Sequence, residues 1–81
     1  MTFIDVHDTS KFDRNELQNI LEKDRELGSR RGVSLQRCYY NRSNNKMFCL
    51  IEGPSRDDVL ETHKQSGLDV EDIWEVQPFE L

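Results

Sequence analysis

Residues 3–7, Phe3-Ile4-Asp5-Val6-His7, alternate strictly, with Ile4 and Val6 on one side and Phe3, Asp5 and His7 on the other. This predicts a strand whose two faces differ in chemistry. Asp13 with Glu16 three residues later is a capping box with Asp in the Ser/Thr position, and Phe12 is placed to staple to Leu17. A helix is therefore expected from about residue 14, stopped by Gly28 or Gly32. Its apolar stripe, Leu17, Ile20 and Leu21, continues one turn later into Asp24. Residues 33–40 and 47–52 read as two strands joined by the Asn-rich residues 41–45, which tolerate the positive φ of a tight hairpin. Gly53-Pro54-Ser55 ends the second of them, and Ser55 with Asp58 caps a second helix. That helix carries Val59, Leu60 and His63 on one face and stops at Gly67. Residues 73–77 form the last expected strand.

The order is β-α-β-β-α-β, the ferredoxin-like α+β plan of a four-stranded antiparallel sheet with two helices on one face. Strict alternation assigns the strand residues to opposite faces of that sheet. With Ile4, Val6, Val33, Leu35, Phe48, Leu50, Trp74 and Val76 assigned to the helices, the open face receives Phe3, Asp5, His7, Gln36, Cys38, Tyr40, Met47, Cys49, Ile51, Ile73, Glu75 and Gln77. Phe3, Met47, Ile51 and Ile73 make that face too apolar to stay bare, so a two-fold homodimer through the open sheet face is expected. Arg37 would then fall on the helix side and have to reach solvent at the sheet edge.

With 81 residues the chain is one domain over 1–81, small enough that its core is modest. Sixteen Asp and Glu against 11 Lys and Arg give a formal charge of -5, which speaks against nucleic acid as the main partner. No apolar run approaches the ~20 residues that cross a bilayer, and the first residues lack a basic segment followed by an apolar one, so no membrane association and a cytoplasmic location are expected. Two cysteines are too few for a disulfide-stapled scaffold and read as two thiols in a reducing compartment.

Two constellations could carry chemistry. Asp5 and His7 share one strand face, and with Ser43 and Asn44 as the centre of the hairpin loop Cys38 sits directly opposite Cys49. Imidazole, carboxylate and thiolate suit a borderline transition metal, and a dimer would double the donors. The plainer reading, small buried cysteines and a His7 bonded to Asp5, carries more weight for these residues taken alone. The second constellation is His63 with Asp24, two polar residues on the apolar stripes of the two helices. They suit an acid or base, although a structural hydrogen bond is the weightier reading. On the face assignment above they lie on the opposite side of the sheet from Asp5. No Gly-rich phosphate loop, nucleophile elbow or HExxH is present.

The strand Phe3-Ile4-Asp5-Val6-His7, the stretch Lys46-Met47-Phe48-Cys49-Leu50-Ile51-Glu52-Gly53-Pro54, Val59 through His63 to Gly67, and Asp72-Ile73 together resemble a family of small bacterial ferredoxin-like proteins. Its members are described as a domain of unknown function or as nickel-binding, nickel-responsive proteins. The resemblance runs over nearly the whole chain, and its most telling part is the Phe-Cys-Leu-x-Glu-x-Pro segment. It implies a homodimer and, for some members, divalent nickel, with His7, Cys49 and His63 as the positions carried over and Asp5 and Asp24 beside them. Family members often have a further histidine close behind the position of His63, where this chain has Gln65, Ser66 and Leu68; losing an imidazole weakens a nickel site.

The leading expectation is a homodimeric protein that buffers or senses a divalent metal, nickel first and zinc or copper next. His7, Asp5 and Cys49 would be ligands, Cys38 or His63 would complete the set, and Asp24 and Tyr40 would stand behind them. The second is a dimeric α+β barrel enzyme acting on a small aromatic or polyketide-like substrate with His7 or His63 as general base, recognisable by a deep apolar pocket floored by a histidine. The third is an assembly module with no small ligand.

Overall fold

Each element begins and ends where a specific residue satisfies or releases the backbone. The computed structural model describes all residues, Met1–Leu81, as β1 (Thr2–Asp8), α1 (Arg14–Ser29), β2 (Ser34–Asn41), β3 (Lys46–Glu52), α2 (Arg56–Ser66) and β4 (Asp72–Val76). The Asp13 carboxylate accepts from the Glu16 amide at 2.8 Å while Glu16 accepts from the Asp13 amide at 3.1 Å, completing the expected capping box. Ser55 caps α2 by accepting from the Asp58 amide, and Gly67, at φ 88°, takes the left-handed position that closes the helix. Gly28 lies one residue inside the end of α1, where a Cβ would meet the Val33 carbonyl oxygen at 2.7 Å. Only glycine lets the chain turn this tightly from helix into β2.

All strand pairs are antiparallel, in the order β2-β3-β1-β4, so β1 and β3 are central and β2 is an edge strand. The hairpin register sets Cys38 opposite Cys49, as the loop count predicts. The strand and helix boundaries fall within one or two residues of the expected ones.

The sheet is turned the other way from the expected assignment. The core cluster is Phe3, Val33, Met47, Cys49, Ile51, Val59 and Ile73, with Leu17, Leu21, Leu35 and Cys38 packed against it. The face bearing Phe3, Asp5, His7, Met47, Cys49, Ile51 and Ile73 therefore meets the helices, and Ile4, Phe48, Leu50, Trp74 and Val76 lie on the open face. Alternation fixes which residues share a face but not which face is covered. The helix side decides it: His63, held by Asp24, bonds Asp5 and meets the His7 ring edge to face, and it has nothing to offer Trp74 or Phe48.

A bulge in β2 settles Arg37. The register steps from Leu35 opposite Ile51 to Arg37 opposite Leu50, leaving Gln36 extra. Leu35 and Cys38 consequently both face the helices, and Arg37 turns to the open side, where it donates to the Tyr39 hydroxyl at 3.3 Å.

Candidate metal centre

The site grows from the middle of β1. Asp5 and His7 are two residues apart on the covered face of a central strand, and both side chains are fully buried. Charged or polar groups at that depth persist only when paired. His7 Nε2 lies 2.8 Å from Asp5 Oδ1 and its Nδ1 donates to the Asp69 carbonyl at 2.8 Å. From α2, His63 Nε2 donates to Asp5 Oδ2 at 2.7 Å, and its Nδ1 donates to Asp24 Oδ1 on α1, also at 2.7 Å. Ser66, one turn beyond His63, donates its hydroxyl to the same Asp24 oxygen at 2.7 Å.

Asp5 thus bridges two imidazoles and His63 bridges two carboxylates. The two rings meet edge to face with centroids 5.0 Å apart. His7 and His63 belong to one site, and the expectation that Asp5 and His63 lie on opposite sides of the sheet is corrected. The contacts are all filled when the ring nitrogens donate and the carboxylate oxygens accept. No buried side-chain nitrogen or oxygen is left without a partner.

Burial alone would drive the proton off His63, but the hydrogen bonds to Asp24 and Asp5 outweigh it and hold its pKa at about 9. Burial works to raise the Asp5 pKa, yet the hydrogen bonds from His63 and His7 keep its carboxyl below the ordinary range.

Cys49, on β3 opposite Asp5, adds sulfur to this set. Ligand atoms of Asp5, His7 and Cys49 all lie within 4.8 Å of one another, and all three residues are buried. His7 is already oriented as a ligand should be, since the Asp69 carbonyl holds its Nδ1 proton and aims Nε2 at Asp5. One nitrogen, one carboxylate and one thiol form a donor set that fits nickel, zinc or copper. Cys38 joins through Cys49, with sulfur to sulfur 3.2 Å. Their hydrogen bond holds the Cys38 thiol below the ordinary value, while the same bond together with burial pushes Cys49 up.

Tyr40 stands apart from the cluster. It is half exposed, its hydroxyl donates to Asn45 Oδ1 at 3.2 Å, and its ring lines a cavity of about 460 Å³ between α1 and the hairpin with Phe12, Leu17 and Met47. A second cavity of about 440 Å³ lies between α1 and β2 and reaches Cys38. Neither is lined by a histidine, so the pocket that would mark the enzyme reading is not formed there.

Sequence reasoning missed Ser66 and the Asp69 carbonyl. Ser66 was legible, because a serine three residues after His63 on a helix must share its face. A backbone oxygen in a loop gives no such signal.

No curated protein matches the chain. Among solved structures, the crystal structure of SCO4226 from Streptomyces coelicolor A3(2) is similar at a TM-score of 0.86 with 23% identity, covering 99% of this chain and 100% of that one, which establishes the shared fold. The model of the family described as nickel responsive protein SCO4226-like matches residues 3–76. The chain belongs to the SCO4226-like nickel-responsive protein family.

Proposed function

We propose that this protein binds one divalent nickel ion per subunit through His7, Asp5 and Cys49, and that it buffers or senses that metal in the cytoplasm. The observation that carries the reading is the convergence of three unlike donors within 4.8 Å in a buried place, one of them an imidazole already oriented by a backbone carbonyl. The family description adds nickel responsiveness; zinc and copper suit the same donors less specifically.

When bound, the ion supplies a positive charge that takes the place of protons. His7 gives up the proton between Nε2 and Asp5, and Cys49 gives up its thiol proton, so loading requires deprotonation and strengthens as pH rises. Asp24 and Ser66 keep His63 in position, and His63 holds Asp5 from the helix side or serves as a further ligand. Cys38, which lies between the α1–β2 cavity and Cys49, is the donor an incoming ion meets first and can complete the set.

The reading includes a homodimer. Its support is the open sheet face, where Tyr39, Phe48 and Trp74 are 58%, 37% and 47% exposed beside Ile4, Leu50 and Val76. An apolar patch of this kind on so small a domain is suited to self-association across a two-fold axis.

Native mass spectrometry of the metal-free protein, followed by titration with nickel, zinc and copper, reads subunit number and ion number together. A dimer that takes up two nickel ions, with uptake lost on His7→Ala, is the expected result. A folded protein that takes up none of the three ions would overturn the metal reading.

A further inference from the structure

Cys38 and Cys49 are placed unlike two incidental core thiols. They are directly opposed on antiparallel neighbours β2 and β3, where Cα atoms lie about 4.5–5.5 Å apart, inside the span a disulfide bridges. Their sulfurs are already 3.2 Å apart. The two differ in access: Cys49 is 1% exposed, whereas Cys38 is half-buried and lines the cavity between α1 and β2 with Leu21, Arg25 and Leu35. A small solute in that cavity reaches Cys38 and not Cys49.

The backbone favours movement on one side only. β3 is held between β1 and β2, while β2 is an edge strand with an extra residue at Gln36, two positions before Cys38. A bulge on an edge strand absorbs the small shift that brings the sulfurs to bonding distance.

We propose that Cys38 and Cys49 are a peroxide-oxidised dithiol whose closure to a disulfide takes the sulfur donor away from the metal centre, an inference that rests on the metal reading above. Cys38 sulfur attacks one peroxide oxygen, the O–O bond breaks, and one water leaves as Cys38 becomes a sulfenic acid. Cys49 sulfur then attacks Cys38 sulfur, the S–O bond breaks and a second water leaves. Two thiols lose two electrons and two protons, and one hydrogen peroxide is reduced to two waters. The disulfide sulfurs no longer supply a thiolate, so Cys49 ceases to be a ligand, and an ion already bound to Cys49 protects it from closure.

The test treats the reduced, metal-free full chain with stoichiometric hydrogen peroxide, then measures free thiols, intact mass and the linked peptides. Expected are loss of both thiols, a mass lower by two hydrogens, a Cys38–Cys49 link within one chain, and full recovery with dithiothreitol. Nickel affinity of the oxidised protein should fall by about tenfold or more, since losing even an outer partner of a ligand costs that much. Prior loading with nickel should slow thiol loss. Cys38→Ser, a change on the edge strand, should leave Cys49 resistant to peroxide. Survival of both thiols, over-oxidation of Cys38 alone, or a link between chains would overturn the proposal. Should the reduced protein bind nickel and no link form, the proposal fails while the metal reading stands. Should the link form in a protein that never binds nickel, the coupling fails together with that reading, and the two failures are told apart.

Discussion

Asp5 of β1 and His63 of α2, 58 residues apart in sequence, share a 2.7 Å hydrogen bond between two side chains that are both almost wholly out of solvent. This bond ties the second helix to the sheet's central strand. Asp5 also faces His7, so one carboxylate holds two rings. Replacing Asp5 with alanine leaves both without their shared acceptor in a dry interior. Removing one partner of a buried pair costs about 3–5 kcal/mol, and chemical denaturation of Asp5→Ala should show a loss of that order. A loss below about 1 kcal/mol would mean that the network is wet and loosely held.

The same network sets the stability of the metal-free protein against pH. His63 ionises at about 9 in the folded chain against 6.5 for a free imidazole, so its contribution is complete below pH 6.5 and disappears as pH rises through 9. The span corresponds to about 3 kcal/mol. Asp5 has the opposite sign: its pKa is depressed below 3.8, so its contribution is present above that value and is lost as pH falls through the lower, folded one. Denaturant midpoints should therefore be highest between about pH 4 and 6.5 and should decline towards pH 9. A midpoint that rises between pH 7 and 9 would contradict the charged His63.

Nickel binding should run against that trend. Ligation removes protons from His7 and Cys49, so affinity rises with pH over the interval in which the metal-free protein weakens. Calorimetric titrations in buffers of different ionisation enthalpy should report proton release on binding. Affinity that stays flat from mildly acid to neutral pH would exclude histidine ligation.

Much of this could be read from the chain, and the rest failed for identifiable reasons. The capping box at Asp13, the Ser55 cap, the Gly67 stop and the Cys38–Cys49 register are local relations, and local chemistry fixes them. The choice of covered face is not local. Ile4, Phe48, Leu50, Trp74 and Val76 are as apolar as Phe3, Met47, Ile51 and Ile73, so hydrophobicity alone divides the strands into two equivalent sets. His63, bonded to Asp24 between the helices, held the answer: its second ring nitrogen needs a polar partner, and Asp5 is the one the sheet offers. The bulge at Gln36 was hidden because it changes pairing without a distinctive residue.

The helix-to-strand turn at Gly28 gives a test of the fold that is independent of the site. Gly28→Ala would push a Cβ against the Val33 carbonyl, a backbone atom that cannot rotate away. Overpacking of this sort costs about 1–3 kcal/mol, and the loss should appear in the thermal midpoint with nickel stoichiometry unchanged.

Trp74 tests the open face. It lies on the open face of β4, 47% exposed and paired in register with Ile4, on the other side of the sheet from Asp5 and His7. Trp74→Glu should convert a dimer to a monomer in sedimentation equilibrium while leaving the fold intact by circular dichroism. A variant that stays dimeric would move the interface elsewhere.

The central claim is that His7, Asp5 and Cys49 hold the ion, and X-ray absorption at the nickel edge of the loaded protein reads that shell directly. The account predicts a nickel–sulfur distance that vanishes in Cys49→Ala and an imidazole contribution that falls in His7→Ala. Nickel surrounded only by oxygen and nitrogen, with a spectrum unchanged by either substitution, would contradict it.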